Sequence, residues 1–184
     1  PPKEPRDYQQ DAIKDVLEGF EKGDRGKLIM ACGTGKTFTS LKLAEEMVPD
    51  GGTALFLVPS ISLLGQTLRE WTAEAKRSLR SFAVCSDVSV GKRKTTEDIS
   101  ITDLAYPATT SAEKLAKRFE AEPVRPGGFT VVFSTYQSIE AVAGAQAKGI
   151  PEFDMIISDE AHRTTGVTLA GDDASASVRA HAQE

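Results

Sequence analysis

Five short apolar runs decide most of what this chain can become. They are Leu28-Ile29-Met30, Ala54-Leu55-Phe56-Leu57-Val58, Phe82-Ala83-Val84-Cys85, Val131-Val132-Phe133 and Met155-Ile156-Ile157. None alternates polar with apolar residues, which is how strands buried on both faces of a parallel sheet read. Between most of them lie stripes with helical spacing: Ile13, Val16, Leu17 and Phe20; Leu41, Ala44 and Val48; Leu64, Leu68, Trp71 and Ala75; and Ile139, Val142 and Ala143. Strands alternating with helices imply right-handed crossovers and a sheet covered on both sides. The expected fold is α/β.

The chain has 184 residues, enough for one domain with a core that needs no disulfide or metal staple. Hydrophobic residues at 40% and charged residues at 27% exclude a disordered chain. The two cysteines, Cys32 and Cys85, lie far apart and form no C-x-x-C spacing. That argues against a zinc site or disulfide framework and makes a reducing, cytoplasmic compartment the expectation. No uncharged run approaches the roughly 18 residues of a membrane span, and the N-terminus has no signal-peptide pattern, so no membrane partner is expected.

Lys and Arg number 22 against 27 Asp and Glu, a formal charge of −5. A chain that bound nucleic acid by bulk attraction would be basic, so any polynucleotide contact must come from a local, organised strip. The start at Pro1-Pro2, without methionine, reads as a piece of something longer.

One stretch breaks the rhythm. Residues 87–125 separate two strands by far more than a normal connection. They carry a candidate helix from Ser111 to Glu120 and balanced charge, seven basic against seven acidic residues. They read as a surface insertion, with a contact for another domain of the parent protein as the alternative. The tail from Asp172 onward is rich in Ala and Ser and reads as frayed.

Directly after the first run comes Met30-Ala31-Cys32-Gly33-Thr34-Gly35-Lys36-Thr37, and then a helix. Glycines permit positive φ, so successive backbone N–H groups can point into one concavity and bind phosphate oxygens. The positive end of the following helix adds to the same point. Lys36 is placed to reach the β and γ phosphates, and the Thr37 hydroxyl to ligate Mg²⁺. The strict phosphate-loop pattern would want glycine where Met30 stands.

Far downstream, the last apolar run leads into Ser158-Asp159-Glu160-Ala161-His162. An acid at the C-terminal end of a parallel strand sits where ligands bind in such sheets. Asp159 is placed to hold Mg²⁺, through its water shell, opposite Thr37. Glu160 is the candidate to orient and deprotonate an attacking water. His162, beside Glu160, is a candidate for a coupling role, whereas His181 in the tail is assigned nothing.

The run Asp159-Glu160-Ala161-His162 with Gly33-Thr34-Gly35-Lys36-Thr37 resembles the superfamily 2 helicases and translocases, in which the first cradle position is often not glycine. Pro5-Arg6-Asp7-Tyr8-Gln9-Gln10 looks like that family's adenine-reading segment. The resemblance implies that Gln9 bonds the adenine edge with Arg6 near the base. Pro59-Ser60-Ile61-Ser62-Leu63-Leu64-Gly65-Gln66-Thr67 and Ser134-Thr135-Tyr136-Gln137 look like two motifs that touch the phosphates of a bound strand. They put Ser60, Gln66, Thr67, Thr135 and Tyr136 at that contact. Alone, Ser60, Thr67 and Thr135 read equally well as helix caps and turn residues. Backbone amides and hydroxyls can grip phosphates without net charge, which reconciles this role with an acidic chain. The helix after Val58 carries Arg69, Lys76, Arg77 and Arg80 against Glu70 and Glu74, which suits either a strand contact or a solvated face.

The text through Arg163-Thr164-Thr165-Gly166 and residues 98–110 is further similar to large bacterial restriction-type and phage-defence helicases. These include single-chain restriction-modification translocases and the type I and type III motor subunits. The resemblance implies a three-layer RecA-like P-loop domain over residues 1–173, with 174–184 a loose tail. The implied activity is a DNA-dependent ATPase using ATP and Mg²⁺, with DNA and a second RecA-like lobe as partners. The alternatives are an RNA helicase lobe, a small-molecule kinase or transporter ATPase, and a non-catalytic nucleotide-dependent interaction module. Against the RNA reading, the segment from Pro59 lacks the Thr-Arg-Glu text of RNA-acting relatives.

Two family features do not occur before Glu184: the Ser/Thr-Ala-Thr motif and the second lobe with its arginine fingers. Such a finger is worth roughly 10³- to 10⁵-fold in turnover. The 184-residue chain alone is therefore expected to bind ATP·Mg²⁺ weakly and hydrolyse it little; vigorous turnover in a purified ATPase assay would contradict this.

Overall fold

The computed structural model describes residues 3–85 and 108–160, and in it three of the five apolar runs lie in the inner strands of one sheet. The elements are α1 (Asp7–Phe20), α2 (Lys36–Met47), β1 (Thr53–Val58), α3 (Ile61–Glu74), β2 (Leu79–Val84), β3 (Ala108–Thr109), α4 (Ala112–Ala121), β4 (Phe129–Thr135), α5 (Ile139–Gln146) and β5 (Met155–Ser158). All pairings are parallel, in the order β3-β2-β4-β1-β5. This is the fold class expected from the runs.

The missing polar/apolar alternation has a direct cause. Along β1, Ala54, Phe56 and Val58 face one core while Leu55 and Leu57 face another. In β4, Phe129, Val131 and Phe133 take the first side and Val132 the second. The first core is closed by Leu41, Ala44 and Val48 of α2 and Leu64, Leu68 and Trp71 of α3. The second is closed by Leu115 of α4 and Val142 and Ala145 of α5. Each layer buries one helical stripe, as amphipathic helices on a sheet must. The α1 stripe differs: Ile13, Val16, Leu17 and Phe20 are only half-buried, because α1 rests on α2.

Ser111 caps α4, its hydroxyl accepting from the Lys114 amide, so the expected helix within 87–125 is present. Residues 86–107 of that stretch, and the tail, lie outside the described residues. Among the described residues no helix is long and apolar enough to cross a membrane.

One expected strand is absent. Leu28-Ile29-Met30 pairs with nothing in the sheet, and Ile29 is 88% exposed. The run's apolar residues find no ladder on any described strand, and an apolar run becomes a strand only where a partner's backbone groups meet it. β5 consequently forms the edge of the sheet, half-exposed where β1 and β4 are wholly buried.

Trp71 ties the first core together. Its ring meets Phe56 and Phe133 edge-on at 5.2 and 5.5 Å, and its indole N–H donates to the Thr37 carbonyl at 3.0 Å. Further along α2, the buried Lys42–Glu45 pair closes at 2.6 Å while Lys42 also donates to the Glu74 carbonyl. Glu45 in turn accepts from the amides of Lys76 and Arg77.

Arg77 completes the grip, donating to the carbonyls of Glu45 and Val48 at the end of α2, to the Gly127 carbonyl and to Asp50. Arg80 likewise turns inward, bonding Thr130, Phe119 and Glu122. Of the basic residues read onto the helix after Val58, only Arg69 lies on α3, which ends at Glu74; Arg69 and Lys76 are exposed, while Arg77 and Arg80 are engaged within the protein. Arg77→Ala leaves the last α2 carbonyls without their charged donor and should cost about 2–4 kcal/mol. Arg69→Ala should stay within about 0.5 kcal/mol. Denaturant unfolding of both variants checks the contrast, and equal losses would contradict it.

Candidate active site

The glycine turn opens α2. Gly35, at φ 80° and ψ 40°, is its N-cap, and Gly33 stands at φ 76°, so both lie where only glycine is unstrained. The Thr34 hydroxyl closes the turn on the Ala31 carbonyl at 2.7 Å. The Lys36 ammonium lies on the Met30 carbonyl at 3.3 Å, folded back over its own loop.

Gln9 holds this loop from outside. It is buried, its amide nitrogen donates to the Thr34 carbonyl at 2.9 Å, and its amide oxygen accepts from the Arg6 backbone. Tyr8 donates to the same Thr34 carbonyl at 3.2 Å. Both ends of the amide that the resemblance gives to adenine are therefore engaged within the protein, binding α1 to the cradle. Arg6 is exposed at the start of α1.

The acid pair follows β5. The Asp159 amide continues the ladder onto the Leu57 carbonyl at 2.9 Å. Its carboxylate accepts from the Glu160 amide at 3.0 Å, and its own carbonyl accepts from the Tyr136 hydroxyl at 2.8 Å. Glu160 stands at φ 54°, the sole non-glycine among the described residues in the left-handed region. Strain of this kind in non-glycine residues gathers at functional sites.

Burial raises the Asp159 carboxyl above the usual carboxylate range, and the Glu160 charge adds to the rise. The Glu160 amide and the positive charge of Lys36 oppose it. That Asp159 feels Lys36 is the electrostatic mark of convergence: residues 123 apart in the chain (159 less 36) share one locale, with α2 packed on β5. Burial also raises the Tyr136 hydroxyl, with Asp159 and Glu160 adding and a bond with Ser158 opposing.

The donor set suits a hard, hydrated cation. A threonine hydroxyl and one carboxylate beside a phosphate cradle fit Mg²⁺, which keeps most of its waters. Among the described residues no cluster of three or more His, Cys, Asp or Glu could hold a metal by itself.

The family profile described as the type III restriction enzyme res subunit matches residues 2–179. The chain belongs to that family. It is similar to the ATP-dependent Type ISP restriction-modification enzyme LlaBIII bound to DNA, at 51% identity and TM-score 0.79 over 95% of this chain and 12% of that one. A nuclease-deletion mutant of the Type ISP enzyme LlaGI, in complex with a DNA substrate mimic, matches at 47% identity and TM-score 0.72 over 87% of this chain and 15% of that one. A probable helicase of African swine fever virus is 30% identical over 163 residues, 89% of this chain and 16% of the viral protein. The chain thus spans a sixth or less of these relatives. Its fold is the N-terminal RecA-like motor lobe of superfamily 2, close to restriction-type enzymes.

In this res-subunit lobe the two motifs expected to touch a bound strand are neighbours, since Val58 and Thr135 pair in register at the ends of β1 and β4. Their side chains are mostly committed inward. Ser60 caps α3, Thr67 is buried, and the buried Thr135 hydroxyl bonds Ser138 at 3.2 Å. The half-buried Tyr136 spends its hydroxyl on Asp159, which leaves Gln66 as the exposed side chain of the five. His162 and the residues up to Gly166 lie outside the described residues.

Sequence reasoning missed the parts played by Trp71 and Arg77. An unpaired indole N–H in a core stripe is a signal for the first, since buried Trp seeks an acceptor.

The two loop glycines separate in a test. A Cβ on Gly35 would sit 2.6 Å from the Gln9 amide nitrogen, whereas one on Gly33 meets nothing within 4 Å. Gly35→Ala should weaken binding of a fluorescent ATP analogue by about tenfold or more, from strain plus displacement of Gln9. Gly33→Ala should lose less, and equal losses would show that the Gln9 contact is irrelevant.

Proposed function

We propose that this chain is the ATP-binding motor lobe of a DNA-dependent helicase or translocase of a restriction or phage-defence system. The observation that carries the reading is the packing of α2, which opens at Lys36, against β5, which ends one residue before Asp159. The relatives bound to DNA support the polynucleotide side.

In this reading residues 1–173 form the first lobe, 87–125 are an insertion, and the second lobe lies elsewhere in the parent chain. The amides around Gly33, Thr34 and Gly35 receive the phosphates and Lys36 neutralises their charge. Thr37, and Asp159 through the ion's water shell, would hold Mg²⁺, which would supply positive charge to offset that of the phosphates. Glu160 accepts the proton of the attacking water. His162, by resemblance, couples the acid pair to strand engagement. Arg6 and Gln9 flank the base, and Gln9 reaches it by giving up part of its hold on the loop.

On the opposite side of the motor cycle, Ser60, Gln66, Thr67, Thr135 and Tyr136 mark two loops that take strand phosphates. With most of their hydroxyls turned inward, backbone amides make these contacts. Closure against the second lobe then grips the strand, and opening after hydrolysis releases it.

In the full-length protein, Lys36→Ala should weaken nucleotide binding by about tenfold or more, because a buried phosphate charge loses its counter-ion. Glu160→Gln should keep nucleotide binding and lower turnover by about 10²- to 10⁴-fold. ATP hydrolysis measured without polynucleotide, with DNA and with RNA tests the substrate. Stimulation by duplex RNA alone would favour the RNA-acting alternative, and intact turnover in Glu160→Gln would overturn the base assignment.

A further inference from the structure

Tyr136 joins two motifs that otherwise have separate tasks. It directly follows Thr135, the last residue of β4, and opens the single 3-10 turn Tyr136–Ser138 that leads into α5. Its hydroxyl leaves that segment and donates to the Asp159 carbonyl at 2.8 Å, a contact across 23 positions of chain. The carbonyl belongs to the peptide that joins Asp159 to Glu160, and Glu160 carries the left-handed backbone at φ 54°.

Hydrogen bonds at three backbone groups help to fix this turn. The Asp159 amide is held by β1 through Leu57, the Glu160 amide by the Asp159 carboxylate, and the Asp159 carbonyl by Tyr136. The first two arise from strand pairing and from the turn itself. The third alone comes from a segment at the strand-facing end of the sheet, where Thr135 pairs in register with Val58 and the chain passes on to Ser60. A strained conformation persists only where its surroundings over-determine it, so loss of one of three restraints is felt at the Glu160 carboxylate.

We propose that Tyr136 is a positioning residue for hydrolysis: its hydroxyl sets the Asp159–Glu160 turn, and movement of the β4–α5 turn on strand engagement changes how firmly that turn is set. Tyr136 acts in this way only if the site is the motor site proposed above. The role differs from a phosphate contact, because the hydroxyl is spent on protein and the residue is half-buried. It gives the motor a direct route from the polynucleotide face to the catalytic carboxylate, one side chain long. The physical element is the Tyr136 hydroxyl, set between two turns whose relative position both ligands can bias.

The test is Tyr136→Phe in the full-length protein, which keeps the ring and removes only the donor. Steady-state ATP hydrolysis is measured at saturating DNA and without it, alongside binding of an ATP analogue and of DNA. The expected result is a fall in DNA-stimulated kcat of about tenfold or more, the scale of a misplaced catalytic group. KM for ATP and the affinity for DNA should stay within about twofold, and a residue that only stabilises the fold would not produce this split. Equal stimulation of the variant and the natural protein would overturn the inference and leave the motor reading intact. A loss of DNA affinity with kcat preserved would also overturn it, making Tyr136 a strand contact instead. If the natural protein shows no polynucleotide-dependent turnover at all, the motor reading fails first and the inference with it.

Discussion

The position of α2 is the constraint on which the site depends. Residues 26–35 carry no strand, so the phosphate loop is not located by the sheet's hydrogen bonds. Its place is set by the helix it opens, and that helix is gripped along its length by α3 and the turn after it. Trp71 holds the first turn at Thr37, Glu74 and Glu45 engage around Lys42, and Arg77 closes the last carbonyls. The buried Lys42–Glu45 pair is better understood as fixing register than as a source of stability, since desolvation offsets much of its attraction. A register error of one helical turn would carry Thr37 about 5.4 Å from its present place, far more than a metal site tolerates.

The acid side is built differently. Asp159 inherits its place from β5, whose pairing with β1 fixes where the strand ends. Because β1 and β4 pair from Thr53↔Thr130 to Val58↔Thr135, the same two strands that support the nucleotide site also present the strand-facing loops. In the proposed reading, nucleotide and polynucleotide functions therefore share a small set of rigid parts. Trp71 packs on Phe56 and Phe133 in those strands and bonds Thr37, while Tyr136 leaves one strand end for the Asp159 carbonyl. An acidic chain can serve a polynucleotide on these terms, because backbone groups at fixed strand ends need no excess of lysine and arginine.

Much of this was legible in the sequence. The runs at 54–58, 82–85 and 131–133 lie in the inner strands because residues apolar on both faces are stable in the middle of a covered sheet, while 155–157 forms the half-exposed edge strand β5. The stripes at Leu64, Leu68 and Trp71 and at Leu41, Ala44 and Val48 became the buried rows of α3 and α2. The run at 28–30 was misread, since local hydrophobicity says nothing about whether a ladder partner exists. β3 was not anticipated; it is two residues long and exists through its pairing with Ala83 and Val84. Arg77 and Arg80 looked like surface charge because composition cannot report which carbonyls a guanidinium will find. Gln9 and Tyr136 were singled out for ligand contacts, whereas their bonds to Thr34 and Asp159 depend on tertiary contacts that no spacing encodes.

The central claim is that the lysine-threonine turn and the acid pair surround one metal-bound triphosphate. A crystal structure of the full-length protein with Mg²⁺ and a non-hydrolysable ATP analogue tests it most directly. The account predicts the metal within about 2.1 Å of the Thr37 hydroxyl oxygen, with the Asp159 carboxylate touching it directly or through one bound water. A triphosphate held by residues 33–37 with Asp159 in neither relation to the metal would contradict it.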